Sequence, residues 1–486
     1  MNNTSVDYSK KWLVMLAVAC GVLLCTVDGS IVNIALNTLV KEMGKPLAVV
    51  EWVVLAYMLT IATLMLSVGR LADMIGKKNI YLAGLAIFTL GSGLCGLAPT
   101  IYWLIVFRIV QAIGAAMTMA LGTAIVTEAF PPAERGKALG IIGTVVSIGV
   151  IAGPTIGGLI LQSLSWHWLF FVNLPVGVVG LVMVAVFVPH LRPEGRQRFD
   201  FIGAGTLFFS MASLLYGLSL VQLNGFSNPM VYITFGLGVF MLATFIYVEL
   251  NVEEPMIDLR LFSSRLFSIN LITGALSFVA NAGTILLIPF YLQNVLGFDP
   301  QKTGLLLIVA PLAIAVVAPL SGVLSDRMGS RLITTIGLVI CALGFVLLIG
   351  INESTSALEY ILRYLPIGIG MGIFQSPNNS AVMGSAPRER LGVASGLLSL
   401  TRVIGQMTGI AVLGAIYNTV VLRTSGGVVV EGNVQAPISA QVAGLHAALV
   451  FAVGIMAAAL AFSVWALVQA YRAGKQEQAE PIPEAE

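Results

Sequence analysis

Fourteen apolar runs recur along the chain, and the Lys, Arg, Asp and Glu residues gather in the short stretches between them. No soluble core absorbs such a pattern. A helix needs roughly 20 apolar residues to cross a hydrocarbon layer of about 30 Å. Inside that layer only helices and closed barrels satisfy the backbone, and runs of this length are helices. The predicted spans are 12–38, 48–69, 79–98, 101–126, 138–162, 167–189, 201–221, 230–250, 266–291, 303–324, 332–351, 358–384, 392–418 and 441–471. Composition agrees: 58% of the residues are hydrophobic and 10% are charged, against about 25% charged in a soluble domain. The first run follows Lys10 and Lys11 and is too long for a cleaved signal core of roughly 7–15 residues, so it is read as a span.

The basic residues fix an orientation. Eighteen of the 25 Lys and Arg residues lie in the terminal and connecting segments on the side of the chain's beginning, four lie in segments on the other side, and three lie within spans. Both termini are therefore expected in the cytoplasm, with the chain in the cytoplasmic (inner) membrane. The expected class is an all-α integral membrane protein of two six-helix bundles with two helices inserted between them. The expected divisions are 1–190, a first bundle; 191–265, two inserted spans with linkers; 266–472, a second bundle; and 473–486, an acidic tail.

A long-period repeat supports the duplication. The segment after span 2 reads GRLADMIGKK at 69–78, and the segment after span 10 reads GVLSDRMGSR at 322–331. Each has a Gly, an Asp four residues on, a Gly three later and a basic residue within two. Duplicated halves are a known transporter architecture, with ligands held at the interface between halves.

Charge inside the spans is the next signal, because an ionisable side chain at the bilayer centre costs at least about 2.5–3.5 kcal/mol. Asp28 lies roughly 24 Å from the start of helix 1, and Arg108 roughly 10 Å from the opposite end of helix 4, at 1.5 Å per residue. Both fall in the outer half of the membrane, at a depth where they can pair. Burial favours a protonated carboxyl and an adjacent guanidinium favours the carboxylate, so a pair whose separation varies takes up and releases a proton. A static pair joining helices 1 and 4 is the alternative. Arg402 lies near the midplane of helix 13 with no acidic residue deep in any span of the second block. Glu51 is placed at the outer end of helix 2, where a charge is cheap.

Gly149, Gly153 and Gly157 recur every four residues, a spacing that admits a close neighbouring helix, and Pro154 permits a bend. This segment, with Gly158, fits either a flexing seam between the halves or ordinary small-residue packing. Asp73 with Lys77 and Lys78, and Asp326 with Arg327, sit in tight turns where an Asp caps a helix or pairs with a neighbouring cation, as a latch or as solvated charge. Trp52, Tyr57, Asn270, Asn281, Gln375, Asn378, Asn379 and Arg402 are candidate pocket residues, since aromatics with amides suit amphipathic ligands; each also serves as helix–helix glue or as an anchor.

Together these segments resemble the major facilitator superfamily, and within it the fourteen-helix drug:proton antiporters. The resemblance rests on Gly69, Asp73, Gly76, Lys77 and Lys78 in the first turn; on Asp28-Gly-Ser-Ile-Val-Asn33-Ile-Ala-Leu in helix 1; on Arg108, Gln111 and Gly114 in helix 4; on GVIAGPTIGG at 149–158; on WHWLFFVNLPVG at 166–177; and on Arg402, Gly405 and Gly409 in helix 13. The chain departs from the family in Ser30 for Thr, Asn37 for Pro and His167 for Arg. The resemblance implies export of hydrophobic or amphipathic small molecules by alternating access. It implies a proton gradient and no cofactor as the energy source, and the 69–78 turn as a conformational latch. A dedicated exporter of an endogenous lipid, glycoside or metabolite, an uptake carrier and a membrane sensor are the rival readings.

Other classes find no support in the residues. Cys20, Cys25, Cys95 and Cys341 lie in apolar runs without metal-ligand spacing, so neither a disulfide nor a metal site is expected. His167, His190 and His446 form no nucleophile–base group, and no enzyme is expected. A formal charge of +2 gives no field for nucleic acid. The expected partners are a small-molecule substrate, protons and the lipid bilayer, with the chain acting as a monomer.

Overall fold

The computed structural model describes residues 10–131, 134–189, 201–224, 228–252, 259–385, 391–425 and 436–479. Among them are fourteen helices long and apolar enough to cross a membrane. The first six are α1 Lys11–Met43, α2 Leu47–Met65, α3 Lys77–Gly96, α4 Ile101–Ala129, α5 Ile141–Ser163 and α6 Trp168–Phe187. Two follow, α7 Ile202–Val221 and α8 Pro229–Asn251. The last six are α9 Arg265–Val295, α10 Pro300–Ser325, α11 Ser330–Ile349, α12 Ala357–Gly384, α13 Gly396–Thr424 and α14 Ile438–Gln469. The chain is an all-α, multi-pass membrane protein, and the described residues contain no strand.

Capping residues set several of these starts. Thr100, Ser264, Asp299 and Ser356 each accept a hydrogen bond from the backbone N–H three residues on, opening α4, α9, α10 and α12. Such a bond satisfies one of the donors that a helix start leaves without an internal partner.

The first six helices pack on one another, α1 against α4, α5 and α6, and α4 against α2 and α3. The last six do likewise, α11 and α10 against α12, and α9 against α13 and α14. The inserted hairpin touches the rest through α7, which lies on α2 and on α13 and so spans both bundles. Direct contact between the bundles runs through α5 with α10, α2 with α13, and α1 with α9.

Two ends of the molecule differ in how the bundles meet. We call them the Lys11 face, where α1 begins, and the Asn37 face, where it finishes. Ile31–Val40 of α1, Leu47–Leu59 of α2 and Trp166–Phe170 share one continuous apolar core with α7 and the second bundle. Toward the Lys11 face, the buried residues Val14–Cys25, Tyr81–Phe88 and Ala112–Ala129 form a separate core made only of the first bundle. The bundles are fused on the Asn37 face and keep separate cores at the other.

The repeat read in the sequence has a matching backbone. Gly76 (φ 104°, ψ 130°) and Gly329 (φ 87°, ψ 138°) take the same left-handed turn, which a Cβ disfavours. Each donates its N–H four residues back, to Ala72 O at 2.8 Å and to Ser325 O at 2.9 Å. Glu51 corrects an expectation: it is fully buried, because the Leu47–Val50 turn beside it is covered by α7 and α13.

Candidate functional site

One polar cluster in the first bundle draws side chains from five of its six helices. Asp28 of α1 and Arg108 of α4 form an ion pair at 2.6 Å, Oδ2 to Nη1, and both are fully buried. Oδ1 of Asp28 accepts from Gln111 Nε2 and from Asn173 Nδ2, each at 2.8 Å. Arg108 also donates Nη1 to Gln111 Oε1 at 2.8 Å and Nε to the Val53 carbonyl at 3.0 Å. Its guanidinium carbon lies 3.9 Å from the centroid of the Tyr57 ring, a cation–π placement. Asn173 is held in turn by Ser92, at 2.9 Å.

Local sequence explains this convergence. Arg108 and Gln111 are three residues apart, and such residues share a helix face. Asn173 opens the long part of α6, after the short turn Trp168–Phe171. Asp28 has no donor of its own as a carboxylate, and three donors aim at it. Both oxygens are engaged, Oδ2 by Arg108 and Oδ1 by Gln111 and Asn173. Arg108 is held in addition by Val53 O, Gln111 Oε1 and the Tyr57 ring, and its Nη2 lacks a hydrogen-bond partner. The guanidinium of Arg108 thus bridges α1, through Asp28, and α2, through the Val53 carbonyl, to its own helix α4.

The other sequence candidates separate into three places. Tyr57 belongs to this charge cluster. Trp52 is engaged with α7: its Nε1 donates to Ser219 Oγ at 2.9 Å, and its ring meets Tyr216 edge-on at 6.4 Å. It ties α2 to α7, which covers this end of α2. Asn270, Asn281, Gln375, Asn379 and Arg402 are half-buried on α9, α12 and α13, and Asn378 is buried.

Helix α5 divides its motif between two neighbours. The face of Gly149, Gly153 and Gly157 packs on α1 within its own bundle, where a Cβ on these residues would overlap Thr26, Ser30 and Ile31. Ser30 Oγ donates to the Gly149 carbonyl at 3.1 Å. The contact with the second bundle comes from the neighbouring face. A Cβ on Gly158 would fall 2.5 Å from the Pro300 carbonyl, and one on Gly304 would overlap the Pro154 carbonyl.

Beside it, the amide of Asn37 donates to Gln293 Oε1 at 2.8 Å and to Asn294 Oδ1 at 3.1 Å, and accepts from Asn294 Nδ2 at 3.0 Å. The π-helical turn Tyr291–Val295 at the end of α9 presents both partners. This lock between bundles involves a residue that the sequence marks only as a departure from a family Pro.

On the Lys11 face, Lys77 pairs with Glu128, Lys78 donates to the Ala185 carbonyl at 2.8 Å, and Lys11 pairs with Glu134 at 2.6 Å. The contacts of Lys77 and Lys78 tie the end of the first turn to its own bundle. Arg327 is exposed. The surroundings of Gly69, Asp73 and Asp326 lie outside the described residues.

The profile described as Major Facilitator Superfamily matches residues 18–410. The chain belongs to the major facilitator superfamily. It is a carrier for transport across a membrane, and not an enzyme. It is 34% identical over 412 residues to the riboflavin transporter RibZ of Clostridioides difficile (strain 630), covering 84% of this chain and 88% of that one. It is 35% identical over 405 residues to the multidrug resistance protein Stp of Mycobacterium tuberculosis (strain CDC 1551 / Oshkosh), covering 83% and 75%. Among solved structures, a bacterial homologue of the human lysosomal transporter Spinster, inward-facing and unoccupied, shares the fold with a TM-score of 0.68 at 18% identity, over 94% of this chain and 96% of that one.

Proposed function

We propose that this superfamily member is a fourteen-helix proton-driven antiporter that exports amphipathic small molecules from the cytoplasm. The observation that carries the reading is the Asp28–Arg108 pair, a fully buried ion pair whose carboxylate is ringed by donors alone. A packing device in lipid needs no ionisable group, and the cost of holding one there points to a function. Similarity to relatives named as multidrug proteins supports the substrate class.

In this reading the Lys11 face is cytoplasmic, and residues 1–190 and 266–472 rock about the α5–α10 and Asn37 contacts. The 191–265 insertion rides between them, 473–486 is a cytoplasmic tail, and the turns at Asp73 and Asp326 latch the cytoplasmic side in the opposite state. The separate core of the first bundle at the Lys11 face fits an arrangement open to the cytoplasm.

A narrower reading, export of one metabolite, is favoured by the similarity to a riboflavin transporter. Inverted vesicles energised by respiration separate the two. A panel of dyes together with riboflavin is offered with and without a protonophore, and several dyes are expected to accumulate only while the gradient stands. Accumulation of riboflavin alone supports the narrower reading, and accumulation that ignores the protonophore removes proton coupling. For orientation, an introduced cysteine at Gly427 is expected to react with an impermeant maleimide in intact cells, and one at Gly195 is expected not to. Labelling at Gly195 reverses the assignment.

A further inference from the structure

The second bundle holds a charge that none of the described residues balances. Arg402 lies within α13, and among the described residues it forms no ion pair. Its Nε is buried without a hydrogen-bond partner. Its guanidinium carbon lies 5.3 Å from the centroid of the Phe278 ring of α9. The contrast with Arg108 is direct: that guanidinium meets a carboxylate at 2.6 Å, and this one meets none. Arg402 is half-buried, so its outer nitrogens are reachable.

A second unfilled group borders the same stretch of α9. Asn378 of α12 is 2% exposed, and its Oδ1 has no hydrogen-bond partner. Its Nδ2 stands 3.3 Å from where a Cβ on Gly274 would begin. Gly274 and Phe278 are one turn apart and share a face of α9. Gly405, three residues after Arg402, lies against Ala275 and Phe278 of that same turn. A guanidinium offers only donors, and the free amide oxygen asks for one. Buried polar atoms in native proteins are satisfied, and those that are not call for an explanation such as an absent ion or ligand.

We propose that Arg402, with Phe278 and Asn378, forms a binding site for the acidic group of an amphipathic anion. The carboxylate, sulfonate or phosphate meets Arg402, the apolar body lies on Phe278, and a hydroxyl or N–H of the ligand satisfies the Asn378 oxygen. This deepens the transport reading by naming the charge of its substrate class. Asp28 and Arg108 neutralise each other in the first bundle, which leaves the second as the cationic side of the substrate path.

The test reads binding with no gradient present, so it stands or falls apart from proton coupling. Purified full-length protein in nanodiscs of zwitterionic lipid is titrated with 1-anilinonaphthalene-8-sulfonate and with N-phenyl-1-naphthylamine, which differ by the sulfonate. The anion is expected to bind at least about tenfold more tightly than the neutral dye, a difference of about 1.4 kcal/mol. Arg402→Lys is expected to keep a preference, and Arg402→Met to lose it with the neutral dye unaffected. Thermal unfolding gives an independent readout: Arg402→Met removes an unbalanced charge and is expected to unfold at an equal or higher temperature without ligand. A lower unfolding temperature makes Arg402 a structural residue and overturns the site. So does equal binding of both dyes by the wild type, or an unchanged preference in Arg402→Met. Repeating the titration in discs containing phosphatidylglycerol identifies the occupant. Competitive loss of sulfonate binding assigns the site to a lipid headgroup, and undiminished binding assigns it to a free amphiphile; either presupposes the site.

Discussion

Asp28→Asn is expected to abolish uphill transport and to lower stability, and pairing it with Arg108→Gln is expected to restore only the stability. The geometry dictates both halves of this result. Replacing Asp28 strands Arg108 in a fully buried position. Breaking a buried pair by removing one partner costs about 3–5 kcal/mol. The Asn amide also turns an NH2 toward one of the groups that now donate to Asp28, Arg108 at 2.6 Å or Gln111 and Asn173 at 2.8 Å. Neutralising Arg108 as well removes the stranded charge and leaves amides that can bond to one another. If the pair served packing alone, the double variant would regain transport together with its melting temperature. A proton carrier regains the melting temperature and still cannot respond to a pH difference. Unfolding in detergent, followed by efflux from vesicles, reads the two quantities separately.

Gly304→Val is expected to cut transport at least about tenfold, equivalent to about 1.4 kcal/mol in a rate barrier. At this point α10 approaches α5 backbone to backbone, and a Cβ would overlap the Pro154 carbonyl. A flexible side chain could give way, but a helix carbonyl moves only with its helix. Overpacking at such a contact costs typically about 1–3 kcal/mol. The cost falls on the arrangement in which the bundles are fused at the Asn37 face, and so it shifts the population toward its opposite. An introduced cysteine at Asn294, otherwise engaged with Asn37, should then become more reactive toward an aqueous maleimide. Gly304→Ala should show the same changes in weaker form. Unaltered reactivity and turnover in Gly304→Val would remove this contact from the transport cycle.

Much of this was legible in residue order. Apolar runs separated by charge define the fourteen helices, because lipid leaves the backbone few choices. Counting residues from opposite ends puts Asp28 and Arg108 at one depth, and the two meet at 2.6 Å. The glycine-bearing turns at Gly76 and Gly329 share one backbone conformation, as their matched spacing suggests. What sequence does not carry is which face meets which neighbour. The four-residue glycine period on α5 shows that one face is bare, and the structure puts α1 on it. Trp52 reads as a pocket aromatic until α7 is seen to cover it. Ser92 and Asn173 look like isolated polar residues in apolar runs, and only the convergence of α3 and α6 on α1 links Ser92 through Asn173 to Asp28. Glu51 near the end of a span looks cheap to hold, yet the ends of spans are covered here by α7 and α13.

The central claim is that Asp28 carries the proton that drives substrate uphill. It is tested most directly by recording both fluxes at once in proteoliposomes with an imposed pH difference. The reconstituted pair is the wild type and the folded double variant Asp28→Asn, Arg108→Gln, with a pH dye in the lumen and a fluorescent substrate outside. The wild type should accumulate substrate while protons leave the acidic lumen in proportion. The double variant should let substrate equilibrate down its own gradient and move no protons. Uphill accumulation by the double variant, with proton flux equal to that of the wild type, would contradict the account.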